Sequence, residues 1–142
     1  MDIQNLYRLF LESSGICTDT RLCCEKSLFF SLRGNNFDGN KFANEALEKG
    51  ANYVVVDDRS LNHPNYIFVD DVLESLQELS NFHRKSLKNT KIIALTGSNG
   101  KTTTKELIHC VLSTTYKTIS THGNLNNHIG VPLSLLQVKH ET

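Results

Sequence analysis

A glycine-rich segment in the second half of the chain reads Thr96-Gly97-Ser98-Asn99-Gly100-Lys101-Thr102-Thr103. The apolar run Ile92-Ile93-Ala94-Leu95 precedes it, and a segment with helical spacing, Thr104-Lys105-Glu106-Leu107-Ile108, follows it. This order predicts a strand over 91–95, a glycine-rich loop and a helix from about 101 to 114. Such a loop turns successive backbone N–H groups inward above a helix N-terminus, so the stretch predicts a phosphate-binding site.

Individual residues of the loop fit that chemistry. Gly97 and Gly100 supply backbone freedom and let phosphates approach closely. Lys101 is expected to reach the β- and γ-phosphates of a nucleotide, and the Thr102 hydroxyl to bind Mg²⁺. The general pattern has a glycine five residues before Gly100, where this chain has Leu95. An ordinary turn remains the alternative, and the flanking strand and helix favour the phosphate loop.

Composition indicates an ordinary globular protein. The chain has 142 residues, of which 39% are hydrophobic and 21% charged, with only two prolines; this suits one domain or one and a half. No apolar run approaches the roughly 20 residues that span a bilayer, and the N-terminus lacks the pattern of a signal peptide. We therefore expect a cytoplasmic protein without a membrane partner. The four cysteines form no C-x-x-C pair, so free thiols are expected rather than a metal site.

Charge is distributed unevenly although the net charge is zero. Residues 1–83 carry 7 basic and 13 acidic side chains, whereas residues 84–142 carry 8 basic and 2 acidic ones. A basic second half suits a polyphosphate ligand. It lacks interleaved aromatic residues, so we expect no nucleic-acid partner. A chance imbalance remains the alternative.

Alternating helical and strand patterns predict an α/β fold. Before the phosphate loop the patterns predict a helix over 2–13, a strand over 27–32, a helix from Phe42 to Gly50, strands over 53–56 and 66–69, and a helix from Val72 to about 82. After the loop they predict a strand over 117–120 and a helix from Val131. We expect a small domain over 1–83, a linker over 84–90, and the incomplete first part of a parallel-sheet P-loop domain over 91–142.

Two further segments could bind a ligand. Arg21 and Arg33 lie beside turn residues in an acidic unit and could clamp a diphosphate or carboxylate with their guanidinium forks. The alternative is that Arg21 pairs with Asp19 or another surface acid. The segment 123–127, Gly-Asn-Leu-Asn-Asn, could line a crevice at the carboxyl ends of the strands, or form only a polar turn.

Several of these motifs resemble one family. The residues at 96–103 resemble the ATP loop of the Mur ligases, which build the peptide stem of bacterial peptidoglycan; that family replaces the first P-loop glycine, as Leu95 does. Leu28-Phe-Phe-Ser-Leu-Arg-Gly34 with Asp38-Gly39 is similar to the family's UDP-binding domain, although Asn40 stands where a histidine is common. The segment 123–136, Gly-Asn-Leu-Asn-Asn-His-Ile-Gly-Val-Pro-Leu-Ser-Leu-Leu, resembles the members that add D-alanyl-D-alanine.

The resemblance implies an ATP-dependent ligase forming a C–N bond in cell-wall synthesis. It would join D-alanyl-D-alanine to UDP-MurNAc-tripeptide through an acyl phosphate, and it would be a cytoplasmic monomer. A ligase adding the third stem residue, or a non-catalytic nucleotide-binding module, is the alternative. In this family the remaining metal ligands and a third domain lie further along the chain, so we expect these 142 residues alone to be inactive.

The implied cofactors are ATP and Mg²⁺, with Lys101 as the catalytic residue and Thr102 as a metal ligand. The cofactor-binding residues are predicted to be Gly97, Ser98, Asn99, Gly100, Lys101, Thr102 and Thr103. The substrate-binding residues are predicted to be Thr20, Arg21, Arg33, Gly34, Asp38, Asn124, Asn126 and Asn127.

Overall fold

The computed structural model describes residues 2–123, 125–139 and 142. Its helices are α1 (Ile3–Glu12), α2 (Ala43–Glu48), α3 (Val72–Ser86), α4 (Lys101–Leu112) and α5 (Gly130–Leu136). Its strands are β1 (Ile16–Cys17), β2 (Leu28–Phe30), β3 (Arg33–Gly34), β4 (Phe37–Asp38), β5 (Tyr53–Val56) and β6 (Tyr66–Phe68). The chain divides into two compact units, Met1–Phe82 and His83–Thr142, which are described in turn.

The first unit is built on a four-stranded sheet with the order β1-β2-β5-β6, in which all neighbouring pairs are parallel. Phe30 pairs with Val55, and Val55 with Ile67. Every residue of β2 is buried, as are Val54, Val55 and Val56 of β5. Successive side chains of a strand point to opposite faces, so both faces of this sheet are covered. The predicted α/β class is confirmed, and the parallel sheet lies in this first unit.

Helices pack against this sheet. On one face Ala43 and Ala46 of α2 lie in a cluster with Phe29, Val54 and Val56. Small residues on α2 let the helix backbone approach the sheet closely. The helices α1 and α3 contact one another through Tyr7 and Phe82, whose ring centroids are 4.8 Å apart.

The α3 helix ends later than predicted. It begins as predicted after Asp70-Asp71, and the Asp71 carboxylate accepts a hydrogen bond from the Glu74 N–H at 2.7 Å. It continues to Ser86, so the first part of the predicted linker over 84–90 is helical. Arg84 and Lys85 are good helix formers, and basic side chains in a last turn interact favourably with the helix dipole.

A short hairpin, β3–β4, follows β2 and was predicted only as a turn-rich loop. The chain then passes very close to itself at Gly39, where an added Cβ would lie 2.6 Å from the Leu32 carbonyl oxygen. The Gly39 N–H donates to that same oxygen at 2.9 Å. Only glycine can occupy position 39 at this distance. The contact positions the hairpin at the carboxyl end of β2.

In the second unit the helices α4 and α5 form, but the two predicted strands do not. Residues 91–95 and 117–120 have no strand in the described part of this unit, so both strand predictions are wrong as made. A strand exists only with a hydrogen-bonded neighbour, and no described strand pairs with either segment. Ile92, Ile93 and Leu95 are accordingly exposed.

The α4 helix carries an open apolar groove. It is about 440 Å³ in volume and is lined by Ile93, Leu107, Ile108, Val111 and Leu112. None of the residues of α4 is buried, and Val111 is 68% exposed. No described helix is both long and apolar enough to cross a membrane.

Candidate functional site

The predicted phosphate loop is an exposed turn leading directly into α4. Gly100 is the N-cap residue of that helix and has the left-handed angles φ 77° and ψ −3°. Gly97 also has a positive φ, of 154°. An added Cβ at either glycine would meet no atom closer than 3.8 Å. Backbone conformation, rather than space, is therefore what requires glycine at position 100.

Lys101 lies across this loop. Its Nζ donates a hydrogen bond to the Gly97 carbonyl oxygen, at 2.5 Å, so the ammonium group lies over the loop. The first N–H groups of a helix have no acceptor within the helix, and a glycine N-cap offers no side chain to cap them. Ser98, Asn99, Thr102 and Thr103 are exposed around them. The predicted cofactor-binding residues thus form one continuous segment.

These features suit the phosphates of ATP. The loop combines free helix N-terminal N–H groups, a left-handed glycine and a lysine ammonium, all of which favour a polyanion. Thr102 lies in the first turn of α4 and presents a hydroxyl oxygen, which is an acceptable ligand for Mg²⁺. Among the described residues there is no cluster of three or more His, Cys, Asp or Glu side chains suited to a metal.

The first unit contains a second concave site, here called the aromatic pocket. It has a volume of about 360 Å³ and is lined by Thr18, Asp19, Thr20, Arg21, Phe29, Phe37, Phe42 and Glu45. The rings of Phe37 and Phe42 stack with centroids 5.3 Å apart and planes 13° from parallel. A flat face of this kind suits the stacking of a planar ring. Two predicted substrate residues, Thr20 and Arg21, line it.

Arg21 is paired with Asp19 as the alternative interpretation proposed. Its Nε donates to Asp19 Oδ1 at 2.9 Å and its Nη2 to Oδ2 at 2.6 Å. The side-chain and backbone hydrogen bonds from Arg21 lower the pKa of Asp19 to about 2. The same carboxylate raises the pKa of Arg21. Because the Arg21 side chain is 82% exposed, it keeps donors that can meet a ligand.

Arg33 belongs to a different cluster, at the hairpin. It contacts Asp57 at 2.9 Å and Asp38 at 3.6 Å. The buried Asn40 side chain lies between the two acids and donates to Asp38 Oδ1 at 3.0 Å and to Asp57 Oδ1 at 2.8 Å. The Asn40 hydrogen bonds lower the pKa of Asp38, with a smaller contribution from Arg33. Gly34 is exposed beside this cluster, in β3.

The asparagine-rich segment is only partly described. Asn124 lies outside the described residues. Asn126 is exposed, while Asn127 Oδ1 accepts hydrogen bonds from the N–H groups of Ile129 at 3.1 Å and Gly130 at 2.7 Å. Asn127 thus stabilises the start of α5. Its amide NH₂ group is the part that a ligand could use.

Sequence reasoning missed four residues that shape these sites. Phe37, Phe42 and Glu45 line the aromatic pocket, and Asp57 joins the Arg33 cluster. The sequence offered one signal for this pocket, the aromatic residue Phe37 in a turn-rich loop. In the structure its side chain is 50% exposed. Asp57 follows directly on β5, where the carboxyl ends of parallel strands commonly bind ligands.

Two protein-family models match the chain. One, described as "Mur ligase family, catalytic domain", matches residues 12–96, and the other, described as "Mur ligase middle domain", matches residues 95–142. Together they cover nearly all of the described residues.

Similar curated proteins carry one common name. The chain is 46% identical over 132 residues to the UDP-N-acetylmuramoyl-tripeptide–D-alanyl-D-alanine ligase of Bacillus subtilis, covering 90% of this chain and 28% of that protein. It is 39% identical over 128 residues to the protein of the same name from Escherichia coli, covering 89% and 28%. The chain therefore spans less than a third of the length of these relatives.

Solved structures give the same result. A crystal structure of MurF from Acinetobacter baumannii is similar with a TM-score of 0.85 and 32% identity, covering 98% of this chain and 33% of that one. MurF ligase from Thermotoga maritima, crystallised in complex with ADP, has a TM-score of 0.78 and 30% identity, covering 89% and 29%. A UDP-N-acetylmuramoyl-L-alanyl-D-glutamate–2,6-diaminopimelate ligase scores lower, with a TM-score of 0.54 and 25% identity over 88% of this chain and 29% of that one.

Proposed function

Since the chain belongs to the Mur ligase family, we propose that it provides the uridine-nucleotide and ATP sites of a ligase joining D-alanyl-D-alanine to UDP-MurNAc-tripeptide. The observation that carries the proposal is the phosphate loop, in which Lys101 lies over the turn and Gly100 opens α4. The names of the similar proteins support the substrate assignment, and so does the lower similarity to the diaminopimelate-adding ligase.

ATP would supply the phosphoryl group that activates the substrate carboxylate. The N–H groups of residues 97–103 would hold its phosphates, and Lys101 would neutralise charge that develops on the transferred group. Thr102 would contribute one ligand to Mg²⁺. The ADP complex of the Thermotoga maritima relative supports a nucleotide site of this kind.

The first unit would bind the uridine part of the other substrate. The stacked rings of Phe37 and Phe42 suit the pyrimidine, and the exposed Arg21 guanidinium can approach a phosphate near the pocket. Arg33, Gly34 and Asp38 would meet the sugar or the diphosphate beside the hairpin. Asn124, Asn126 and Asn127 would contact substrate through their amide groups.

Two features support a cytoplasmic setting. All four cysteines are free, which suits a reducing compartment, and ATP is a cytoplasmic substrate. We propose that the protein acts in the bacterial cytoplasm, and that it is a monomer when dilute.

The test is a ligation assay on the gene product that contains these residues. With ATP, Mg²⁺, UDP-MurNAc-tripeptide and D-alanyl-D-alanine, we expect phosphate release and the pentapeptide product by mass spectrometry. Lys101→Ala should lower kcat by about 100-fold or more, because charge stabilisation in the transition state is lost. Lys88→Ala, which changes an exposed lysine of the same unit, is the matched control.

Two outcomes would contradict the proposal. Product formation from the dipeptide precursor and a diamino acid, without activity on the tripeptide, would assign the chain to the ligase that adds the third stem residue. Nucleotide binding without any D-alanyl-D-alanine-dependent phosphate release would indicate a non-catalytic module.

A further inference from the structure

A hydrogen bond inside the aromatic pocket fixes the direction of one hydroxyl group. Thr20 Oγ1 donates to Glu45 Oε1 at 2.8 Å, and both residues line the pocket. Thr20 is only 8% exposed. Its position follows from the 3₁₀ turn Thr20–Leu22, which the Asp19 carboxylate caps by accepting from the Arg21 N–H.

This hydrogen bond decides what Thr20 can recognise. A hydroxyl group has one proton and two lone pairs, and a carboxylate oxygen accepts but does not donate. Because the Thr20 hydroxyl already donates its hydrogen bond to Glu45, its oxygen can only accept a hydrogen bond from a ligand. The other carboxylate of the pocket, Asp19, already accepts four hydrogen bonds from Arg21 at 2.6–3.1 Å. The Thr20 oxygen is therefore an acceptor with a fixed orientation.

The pyrimidine bases differ at the atom that such an acceptor would read. Uracil carries an N–H donor at N3, whereas cytosine carries a lone pair there. A ring seated against the Phe37–Phe42 face with N3 toward Thr20 would complete a hydrogen bond if it is uracil. Cytosine would place two lone pairs against each other. Mismatches of this kind in partly buried sites discriminate strongly, because the polar groups are left unpaired.

We propose that Glu45 is a specificity-determining positioning residue, which holds the Thr20 hydroxyl as an acceptor for the N3–H group of uracil. The inference rests on the proposed function, because it takes the aromatic pocket as the uridine site. Glu45 also lies 3.9 Å from Lys49, one turn along α2. A residue that served only that surface ion pair would have no effect on base selectivity.

The experiment measures the dissociation constants of UDP, CDP and 3-methyluridine diphosphate for the 142-residue chain by ligand-observed NMR. Wild type is expected to bind UDP about 10-fold or more tightly than CDP or the methylated analogue, which lacks the N3–H. Glu45→Ala frees the hydroxyl to donate to cytosine N3. We expect CDP to bind more tightly and the UDP preference to fall to roughly 3-fold or less. Glu48→Ala, on the same helix and exposed, should keep the wild-type preference.

A second pair of variants keeps the proposal testable if Glu45→Ala fails to fold, as judged by circular dichroism. Thr20→Val removes the hydroxyl and should weaken UDP binding while leaving CDP binding little changed. Thr20→Ser restores the hydroxyl and should restore the UDP preference. An unchanged UDP preference in Glu45→Ala, or in Thr20→Val if only that variant folds, would overturn the proposal.

The failure of the inference and that of the proposed function look different. Equal binding of UDP and CDP by wild type would overturn the role of Glu45 and leave a uridine-nucleotide ligase intact. No binding of any pyrimidine nucleotide would overturn the assignment of the pocket, and the inference with it.

Discussion

At the residue scale, the Asp19–Arg21 pair makes the aromatic pocket sensitive to acid. Arg21 lowers the pKa of Asp19 to about 2, so the folded state binds this proton less readily than the unfolded chain does. The stability that the pair contributes is therefore fully present above the ordinary carboxyl pKa of about 4. It is lost as the pH falls from there through about 2.

The pair gives a direct titration prediction. The Asp19 side-chain carboxyl carbon, followed by NMR, should titrate with a midpoint of about 2. In Arg21→Ala the midpoint should rise but stay below about 3.9, because the guanidinium hydrogen bonds and charge are removed while the backbone N–H of residue 21 still donates to Asp19. Arg8→Ala removes an exposed arginine of α1 and should leave it unchanged. A wild-type midpoint near 4 would mean that the pair does not persist in solution.

The Asn40 side chain links the β3–β4 hairpin to the residue that follows β5. It is 3% exposed and donates to both Asp38 and Asp57, so Asn40→Ala leaves two carboxylates without that donor. We expect the free energy of unfolding to fall by about 1–3 kcal/mol in a denaturant titration. Asn36→Ala, in the exposed turn of the same hairpin, should change it by less than about 0.5 kcal/mol. Equal effects in the two variants would contradict the bridging role.

At the element scale, β5 and α4 have opposite environments. Val54, Val55 and Val56 are fully buried between two strands, whereas no residue of α4 is buried. Amide hydrogen exchange should therefore be slowest in β5 and faster in α4. Local opening of α4 exposes little additional apolar surface, so its free-energy cost is low. Mass spectrometry of peptides covering 53–56 and 101–112 measures the difference. Equal protection of the two peptides would contradict this prediction.

The same contrast explains which elements sequence could predict. β2 and β5 were predicted from short apolar runs, and both strands are buried between neighbours. The run over 91–95 is also mainly apolar, yet it forms no strand because its state depends on hydrogen-bonding partners that local sequence does not specify. The extension of α3 to Ser86 was missed for a related reason, since polar residues such as Lys85 read as linker and also form helix well.

Candidate residues divide in the same way. The loop from Gly97 to Thr103 was found because its chemistry is local to eight consecutive residues. Glu45 was missed because its partner, Thr20, lies 25 positions away in the sequence, and only the fold brings the two together.

At the scale of the whole molecule, the 142 residues hold the phosphate loop, but the described residues contain no cluster of three or more His, Cys, Asp or Glu side chains that could hold a metal ion beside it. We therefore expect this chain by itself to give no D-alanyl-D-alanine-dependent product, even where it binds UDP. The measurement is mass spectrometry of the reaction mixture, with the Bacillus subtilis relative as the active control. Product formed by the purified 142-residue chain would overturn this expectation.

The open groove on α4 also decides how the chain behaves when concentrated. Leu107 and Val111 expose 63% and 68% of their surface beside Ile93, so one helix presents a strip of exposed apolar side chains to the solvent. Two copies can shield that strip by meeting face to face, and such association strengthens with warming. Light scattering should show particle size rising with protein concentration and temperature, and the double change Leu107→Lys with Val111→Glu should abolish the rise. A wild-type chain that stays monomeric under both conditions would show that the apolar strip does not drive self-association.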